Sequence, residues 1–168
     1  MRIYLLGFMG SGKTHWGRLL SEKLTLPFFD LDQQVIDEEK LPINEIFDKK
    51  GEEYFRMLEK EMLHMLTESH ESFVMACGGG TPCFFNNIDY MNNNGITVWL
   101  NTKLDVLYNR LIKERAHRPL LKDLQDGQIK SFMVKKFSER RIYYEQAELV
   151  IEEDLVSLEM LIQNIMHV

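Results

Sequence analysis

The sequence predicts an α/β fold in which a five-stranded parallel sheet lies between two layers of helices. Short apolar runs alternate with segments whose apolar residues recur at helical spacing, as expected for strands joined by crossover helices. A glycine-rich loop connects the first apolar run to the first helical segment. With 168 residues and 45% hydrophobic content, the chain is long enough for one well-packed core. We therefore expect residues 1–168 to form a single domain.

The glycine-rich loop begins at Gly7 and reads Gly-Phe-Met-Gly-Ser-Gly-Lys-Thr, which matches the phosphate-binding P-loop pattern G-x-x-x-x-G-K-[ST]. Gly7, Gly10 and Gly12 allow the backbone N–H groups to turn toward phosphate oxygens. Residues 2–6 before the loop contain a short apolar run, Ile3 to Leu6, and residues 13–24 after the loop have helical spacing. A glycine turn without a ligand is the alternative, but the strand–loop–helix context favours a three-layer P-loop NTPase fold.

The polar side chains of the loop predict its ligands. Lys13 would place a positive charge beside the β- and γ-phosphates of a nucleotide, and the Thr14 hydroxyl would bind Mg²⁺. Ser11, inside the motif, and His15, directly after it, complete the predicted nucleotide-binding set.

The second predicted strand, residues 27–32, ends in two carboxylates at alternate positions. On an extended backbone Asp30 and Asp32 would point to the same side, and the carboxyl ends of parallel strands line a ligand crevice. One acid could hold Mg²⁺ through water while the other accepts a hydrogen bond from a substrate hydroxyl. An Asx turn or an N-cap of the next helix is the alternative. The neighbouring P-loop favours a functional role.

Helical material follows from about residue 32 to residue 67, and its longest helix begins near Glu52. Arg56 and Glu59 lie one turn apart on that helix, so Glu59 could aim the Arg56 guanidinium at a carboxylate or phosphate. An ion pair on a solvated helix face is the commoner arrangement. This pair alone is weak evidence for a site.

The third predicted strand, residues 73–77, runs directly into the Gly78–Gly80 run. Glycines at the end of a strand expose backbone N–H groups that a small polar molecule can approach closely. A flexible connector is the alternative, but the following Thr81-Pro82 stiffens the chain and favours ligand contact. This strand ends without an aspartate, so Asp30 would supply the carboxylate that P-loop proteins often place here.

The last part of the chain supplies two more strands, four more helices and a basic loop. The strands are expected at residues 96–100 and 149–151, and the helices at residues 86–94, after 102, at 128–144 and after 154. Residues 116–121 interrupt the helical pattern, and Asp126-Gly127 close the interruption. The segment of about residues 112–127 suits a mobile lid. Arg118 would fold over the nucleotide, exclude water and neutralise charge on the transferring phosphoryl group. Arg110 and Arg115 are lesser candidates.

Composition excludes several other classes of protein. The formal charge of −6 disfavours nucleic acid and anionic membranes, although ten basic against four acidic residues between Arg110 and Arg141 would attract an anionic ligand. No apolar run approaches the ~20 residues that cross a bilayer, and no signal peptide opens the chain, so we expect a soluble, cytoplasmic protein. Cys77 and Cys83 form no metal-binding spacing and are expected to be reduced.

Together these motifs resemble the shikimate kinase family, small P-loop kinases whose core is similar to that of nucleoside monophosphate kinases. The likeness covers nearly the whole chain. It rests on motifs in a family-like order: the P-loop with Gly17-Arg18, Phe29-Asp30-Leu31-Asp32, Phe55-Arg56-Met57-Leu58-Glu59, the glycine run, Val98-Trp99-Leu100, Arg118-Pro119-Leu120-Leu121 and a late Arg-x-x-Tyr-Tyr.

The resemblance implies that ATP, with Mg²⁺ present, phosphorylates the 3-hydroxyl of shikimate, a step toward the aromatic amino acids. By matched position, Asp32 would hold the accepting hydroxyl and take its proton. Asp30 would orient the water shell of Mg²⁺ beside Thr14, and Lys13 and Arg118 would meet the transferring phosphoryl group.

The same resemblance assigns the acceptor-binding residues. Arg56 and Arg140 would bind the shikimate carboxylate, with the adjacent Arg141 as the alternative to Arg140. The backbone of Gly78, Gly79 and Gly80 would line the other side of the acceptor. Residues 32–67 would form the substrate-binding segment, residues 112–127 the lid, and the protein would act as a monomer.

Three alternatives remain open, and the least favoured is a structural protein, because so many ligand-facing glycines and arginines would destabilise a scaffold or contribute nothing to it. A P-loop kinase for another small acceptor, such as gluconate or a nucleoside monophosphate, would share the loop and the lid but would lack a pair of arginines for a carboxylate. A non-catalytic nucleotide-binding module would keep Lys13 and Thr14 without needing Asp32.

Overall fold

A computed structural model describes residues 1–115, 121, 123–153 and 156–168 of the chain. Its strands are β1 (Arg2–Leu6), β2 (Phe28–Asp30), β3 (Phe73–Ala76), β4 (Ile96–Asn101) and β5 (Leu149–Glu152). They form one sheet in the order β2-β3-β1-β4-β5, and every pairing is parallel. The predicted five-stranded parallel sheet is confirmed.

Helices connect the strands throughout the described residues. They are α1 (Lys13–Leu24), α2 (Leu31–Glu39), α3 (Ile43–Lys50), α4 (Glu52–Ser69), α5 (Asn87–Asn94), α6 (Leu104–Glu114), α7 (Asp126–Tyr144) and α8 (Leu158–Met166), with a short 3₁₀ helix at Thr81–Cys83. Among these described residues, no helix combines the length and the hydropathy that a bilayer span requires.

The sheet is covered on both faces because its central strand, β1, has buried hydrophobic residues at every position from Ile3 to Leu6. Tyr4 and Leu6 of β1 pack into one core cluster, which also takes buried side chains from α2 to α7. Ile3 and Leu5, which alternate with them, pack into a second cluster with α1 and α8. Successive side chains of a strand point to opposite faces, so one apolar strand supplies both cores. This is the predicted three-layer arrangement.

The order of the strands places a crevice beside β1. The chain fills β2 and β3 on one side of β1 and then crosses to β4 and β5 on the other side. In open parallel sheets, ligands bind outside the carboxyl ends of the strands at such a change of direction. The P-loop, α2 and the glycine run all begin at these ends.

The predicted end of the second strand was wrong. Strand β2 stops at Asp30, and Asp32 lies in the first turn of α2 rather than on the strand. The Asp30 side chain accepts a hydrogen bond from Gln33 N at 3.4 Å and so caps α2, which turns the chain immediately after Asp30. The two carboxylates therefore do not share a face of one strand.

The predicted lid, residues 112–127, is helical at both ends. Helix α6 continues to Glu114, and α7 begins at Asp126. Arg115 Nη1 donates a hydrogen bond to Asp126 Oδ1 at 2.7 Å, which ties the two helix ends together. Arg118 lies outside the described residues.

Candidate active site

The P-loop leads from β1 into the first turn of α1. Gly10 and Gly12 have φ of 82° and 88°, a left-handed conformation that side chains with a β-carbon rarely adopt. Gly12 stands at the N-cap of α1, so the free N–H groups of that helix face the end of the sheet. Lys13 Nζ donates hydrogen bonds to the carbonyl oxygens of Gly7 and Phe8, at 2.8 and 2.9 Å. The lysine ammonium is thus held inside the loop.

A cavity of about 530 Å³ opens at the carboxyl ends of the strands. It brings together the residues that the sequence marked in three separate places: the P-loop, the acid pair and the glycine run. Its lining residues are Met9, Gly10, Gly12, Lys13, Thr14, His15, Trp16, Asp30, Asp32, Ala76, Cys77, Gly78, Gly79, Arg110, Glu114 and Glu153.

Thr14 and Asp30 meet in the lining of the cavity. The Thr14 hydroxyl donates a hydrogen bond to Asp30 Oδ2 at 2.9 Å. One hydroxyl and one carboxylate suit Mg²⁺, which binds few protein ligands and keeps several waters beside substrate phosphates. Within the described residues no group of three or more His, Cys, Asp or Glu could enclose a metal, so a dedicated protein cage is not formed there.

Asp32 is a partly buried acid that lines the cavity. Burial raises the pKa of its carboxyl above the ordinary value of 3.8, the charge of Asp30 raises it further, and the charges of Lys13 and Arg56 oppose the shift. A β-carbon on Gly78 would lie 2.9 Å from Asp32 Oδ1. The lack of a side chain at Gly78 therefore lets the acid approach the end of β3.

Arg56 is buried, with 6% of its surface exposed, and Glu59 is completely buried. Arg56 Nη1 donates to both oxygens of Glu59, at 3.0 and 3.3 Å, and Thr81 Oγ1 donates to Glu59 Oε2 at 2.9 Å. Burial is also the main reason that the pKa of Glu59 is raised. The alternative of an ion pair on a solvated helix face is wrong for this pair.

The Arg56 guanidinium keeps an unsatisfied donor. Its Nε is buried and makes no hydrogen bond within the described residues, although it lies 3.5 Å from Glu52 Oε1. Buried donors are almost always paired, so an unpaired one marks a place where a ligand can bind. The nitrogen without a hydrogen bond belongs to a cation, which favours an anionic ligand.

The glycine run fits around two arginines. A β-carbon on Gly80 would stand 2.5 Å from Arg56 Nη2, and one on Gly79 would stand 3.1 Å from Arg140 Nη1. Both arginines, one from α4 and one from α7, thus approach the same short turn. The sequence predicted that a ligand would approach these glycines closely. In the structure, the side chains of Arg56 and Arg140 also approach them closely.

The two adjacent arginines of α7 point to different places. The Arg140 side chain lies beside Gly79, and its Cζ is 5.7 Å from the centre of the Phe8 ring. The side chain of Arg141 is 61% exposed, and its Nε donates to Glu145 Oε1 at 2.6 Å. Of the two, Arg140 faces the glycine run.

Tyr144, the last residue of α7, also contacts the glycine run. Its hydroxyl donates a hydrogen bond to the carbonyl oxygen of Gly79 at 2.6 Å, and its ring is fully buried against Trp99. Burial raises the pKa of the Tyr144 hydroxyl, so it stays protonated and remains a donor. The late Arg-x-x-Tyr-Tyr motif includes Tyr144 but does not predict this contact.

The opposite end of the cavity contains a network that sequence reasoning missed. Arg110 Nη1 donates to the carbonyl oxygen of Gly10 at 2.9 Å, and its Nη2 donates to Glu153 Oε2 at 3.0 Å. Trp16 Nε1 donates to Glu153 Oε1 at 3.3 Å. Arg110 was named only as a lesser candidate, and nothing in the sequence relates Glu153 to residues so far away along the chain.

Two other predicted nucleotide contacts lie at the loop. His15 is exposed and lines the cavity, with its ring edge against Trp16. Ser11 is completely buried, and its hydroxyl has no hydrogen-bond partner within the described residues.

Comparison with known proteins identifies the family. The family model described as shikimate kinase matches residues 9–168. The chain belongs to the shikimate kinase family. A shikimate kinase of Azobacteroides pseudotrichonymphae is 40% identical to it over 165 residues, which cover 98% of this chain and 97% of the relative. Members of this family are kinases that use ATP, so the chain is a phosphotransferase.

Solved structures of the shikimate kinase family have the same fold. The shikimate kinase of Bacteroides thetaiotaomicron aligns with a TM-score of 0.89 at 36% identity, covering 99% of this chain and 95% of that one. The shikimate kinase of Acinetobacter baumannii, solved in complex with shikimate, aligns with a TM-score of 0.84 at 33% identity, covering 99% and 90%. The resemblance inferred from the motifs is confirmed.

Proposed function

We propose that this chain transfers the γ-phosphoryl group of ATP to the 3-hydroxyl of shikimate, giving shikimate 3-phosphate and ADP. The observation that carries the proposal is the buried Arg56, whose Nε makes no hydrogen bond and whose charge acts on the carboxyl of Asp32. A cation that is buried and incompletely paired suits the carboxylate of a small acid. Membership of the family and the relative solved with shikimate support the same acceptor.

At the nucleotide end, the P-loop would hold the phosphates of ATP. The N–H groups around Gly7, Gly10 and Gly12 and the start of α1 are oriented for an anion. Lys13 would exchange its two carbonyl partners for phosphate oxygens. Ser11, His15 and, from the lid, Arg118 remain proposed contacts of the nucleotide.

Thr14 and Asp30 would hold Mg²⁺, Thr14 through its hydroxyl and Asp30 through water. Bound there, the ion would neutralise charge on the β- and γ-phosphates. The hydrogen bond between the two side chains keeps both oxygens at one point of the cavity. Asp30 is fixed by its second role as the cap of α2, so this oxygen is positioned before any ligand arrives.

At the acceptor end, Asp32 would accept the proton of the shikimate 3-hydroxyl as its oxygen attacks the γ-phosphorus. Burial gives this carboxylate a higher pKa than an exposed aspartate, which makes it a better proton acceptor once it is ionised. Arg56 and Arg140 would bind the carboxylate of the acceptor, and the backbone of Gly78 to Gly80 would lie between them.

The deciding experiment measures ADP release from ATP and Mg²⁺ with shikimate, quinate, gluconate or nucleoside monophosphates as acceptor. We expect turnover with shikimate, and its loss in Lys13→Ala. Turnover with another acceptor but not with shikimate would refute the proposed acceptor. Sedimentation of the active enzyme tests the further proposals that residues 1–168 act as one domain and as a monomer. Fractionation of the source cells tests the proposed cytoplasmic location.

A further inference from the structure

The aromatic ring of Phe84 lies over the guanidinium of Arg56. The ring centre is 4.3 Å from Arg56 Cζ, nearer than the rings of Phe55 at 5.0 Å and Phe47 at 6.0 Å. A cation this close to an aromatic ring is attracted to it, and the attraction is larger when the cation is withdrawn from water. Arg56 is such a cation, because it is buried.

The turn that carries Phe84 has an unusual backbone. Phe85 and Asn86, the next two residues, have φ of 51° and 55°. Asparagine tolerates this left-handed region, but a bulky aromatic residue rarely adopts it, and such strain persists only where the surroundings fix it. Here Asn87, which is completely buried, donates from its backbone N to Phe84 O and from its side-chain amide to Thr81 O, both at 2.9 Å. The position of Phe84 is therefore held by a fixed turn.

The other contacts of Arg56 leave its orientation incompletely fixed. Glu59 binds Nη1, while the contacts of Nη2 and Nε with Glu52 are 3.5 Å long, and the Glu52 side chain is 56% exposed. An ion pair at one nitrogen would let the guanidinium pivot about it. A phenyl ring restricts this movement and adds no hydrogen-bond acceptor, so it does not compete for the remaining N–H groups.

We propose that Phe84 is a positioning residue for the acceptor, acting through Arg56. Its ring holds the guanidinium between the Gly80 backbone and Glu59 so that Nε, which makes no hydrogen bond, and Nη2, whose contact with Glu52 is 3.5 Å long, stay available to a carboxylate. This inference rests on the proposed role of Arg56 in binding the acceptor carboxylate. It assigns a function to a residue that follows the glycine run and belongs to none of the sequence motifs.

The test compares Phe84→Leu with the matched variant Phe85→Leu. The Phe85 ring also lies near a cation, 5.5 Å from Lys60 Nζ, but Phe85 is 45% exposed. We expect Phe84→Leu to raise KM and Kd for shikimate about tenfold and to leave KM for ATP unchanged. Phe85→Leu should leave all three values unchanged. Phe84→Tyr, which keeps the ring, should stay within about twofold of the wild type.

A spectroscopic measurement separates positioning from general damage. The N–H resonance of Arg56 Nε should shift in Phe84→Leu, because the ring current is lost, and should not shift in Phe85→Leu. Phe84→Met, which keeps the bulk without the ring, is a second variant that should behave like Phe84→Leu.

An unchanged KM for shikimate in the ringless variants would overturn the inference, as would equal losses for shikimate and ATP. Wild-type enzyme that does not phosphorylate shikimate would instead overturn the proposed function, so the two failures are distinguishable.

Discussion

The guanidinium of Arg56 lies so close to the backbone of Gly80 that a β-carbon there would stand 2.5 Å from Nη2 and 2.7 Å from Nη1. Real β-carbons do not approach other atoms this closely, so alanine at residue 80 must displace the arginine. We expect Gly80→Ala to raise KM for shikimate at least about tenfold, because it disturbs acceptor binding directly. Steady-state kinetics with each substrate varied in turn measures the effect.

The control for this change is Gly127→Ala. A β-carbon on Gly127, in the first turn of α7, would meet nothing within 4 Å. This variant should keep wild-type kinetics. If Gly80→Ala raises KM for ATP as much as KM for shikimate, the contact with Arg56 does not explain its effect.

Asp32→Asn should remove catalysis without removing nucleotide binding. An amide cannot take the proton of the attacking hydroxyl, so we expect kcat to fall at least about a hundredfold. The kcat/KM of the wild type should also fall on the acid side with a pKa above the ordinary aspartate value of 3.8, since burial raises the pKa of Asp32. Equilibrium binding of ATP gives the control, and a variant with near wild-type kcat would contradict the proposed role.

The same substitution should stabilise the protein at neutral pH. A raised pKa means that the folded wild type binds more protons than the unfolded chain between the ordinary and the raised value, so its free energy of unfolding falls as pH rises through that window. The asparagine side chain of the variant cannot ionise, so the variant does not lose unfolding free energy in this way as the pH rises. The stability advantage of Asp32→Asn should therefore be greatest above the raised pKa and should shrink as pH falls toward 3.8. Urea unfolding at several pH values measures it.

Asp30 can be tested for its two roles separately. Asp30→Ala removes the side chain that caps α2, which should cost about 1 kcal/mol of unfolding free energy, and also removes the partner of Thr14. Asp30→Ser keeps a capping oxygen but lacks the carboxylate. We expect the serine variant to recover stability in urea but not turnover. Recovery of both would argue against a role for this carboxylate beside Mg²⁺.

Arg140 and Arg141 form a matched pair for mutation. Arg140 approaches Gly79, whereas the exposed Arg141 binds Glu145. Arg140→Gln should raise KM for shikimate at least about tenfold, because a charge-assisted bond to the acceptor is lost. Arg141→Gln should change KM by less than about twofold, as is usual for an exposed ion pair. The opposite ranking would assign the carboxylate to Arg141.

Much of the fold followed from local patterns. The P-loop, the apolar strands and the helical spacing of α4 are features of short stretches, and the parallel sheet follows from their alternation. The meeting of Lys13, Asp30 and Gly78 in one cavity was also predictable, because the carboxyl ends of parallel strands share an edge. The position of Asp32 was not, since the capping bond of Asp30 ends β2 two residues early.

Other parts of the site depend on contacts between distant residues. From the sequence, Arg56 and Glu59 resemble an ordinary surface ion pair. The hydrogen bond from Thr81 to the buried Glu59 is visible only in the structure. The bond from Trp16 to Glu153 joins residues 137 apart, and no local pattern marks it. Burial of a polar side chain is set by the tertiary structure, so the sequence alone could not distinguish these alternatives.

The hydrogen bond from Tyr144 to Gly79 joins the glycine run to the last residue of the long helix α7. Helix α7 has 19 residues, so it extends for about 28 Å. At its start, Asp126 is bound to Arg115 at the base of the lid segment, and near its end it carries Arg140. A change in the tilt of α7 would therefore move the contact with Arg115 at one end and the contact with Gly79 at the other end together.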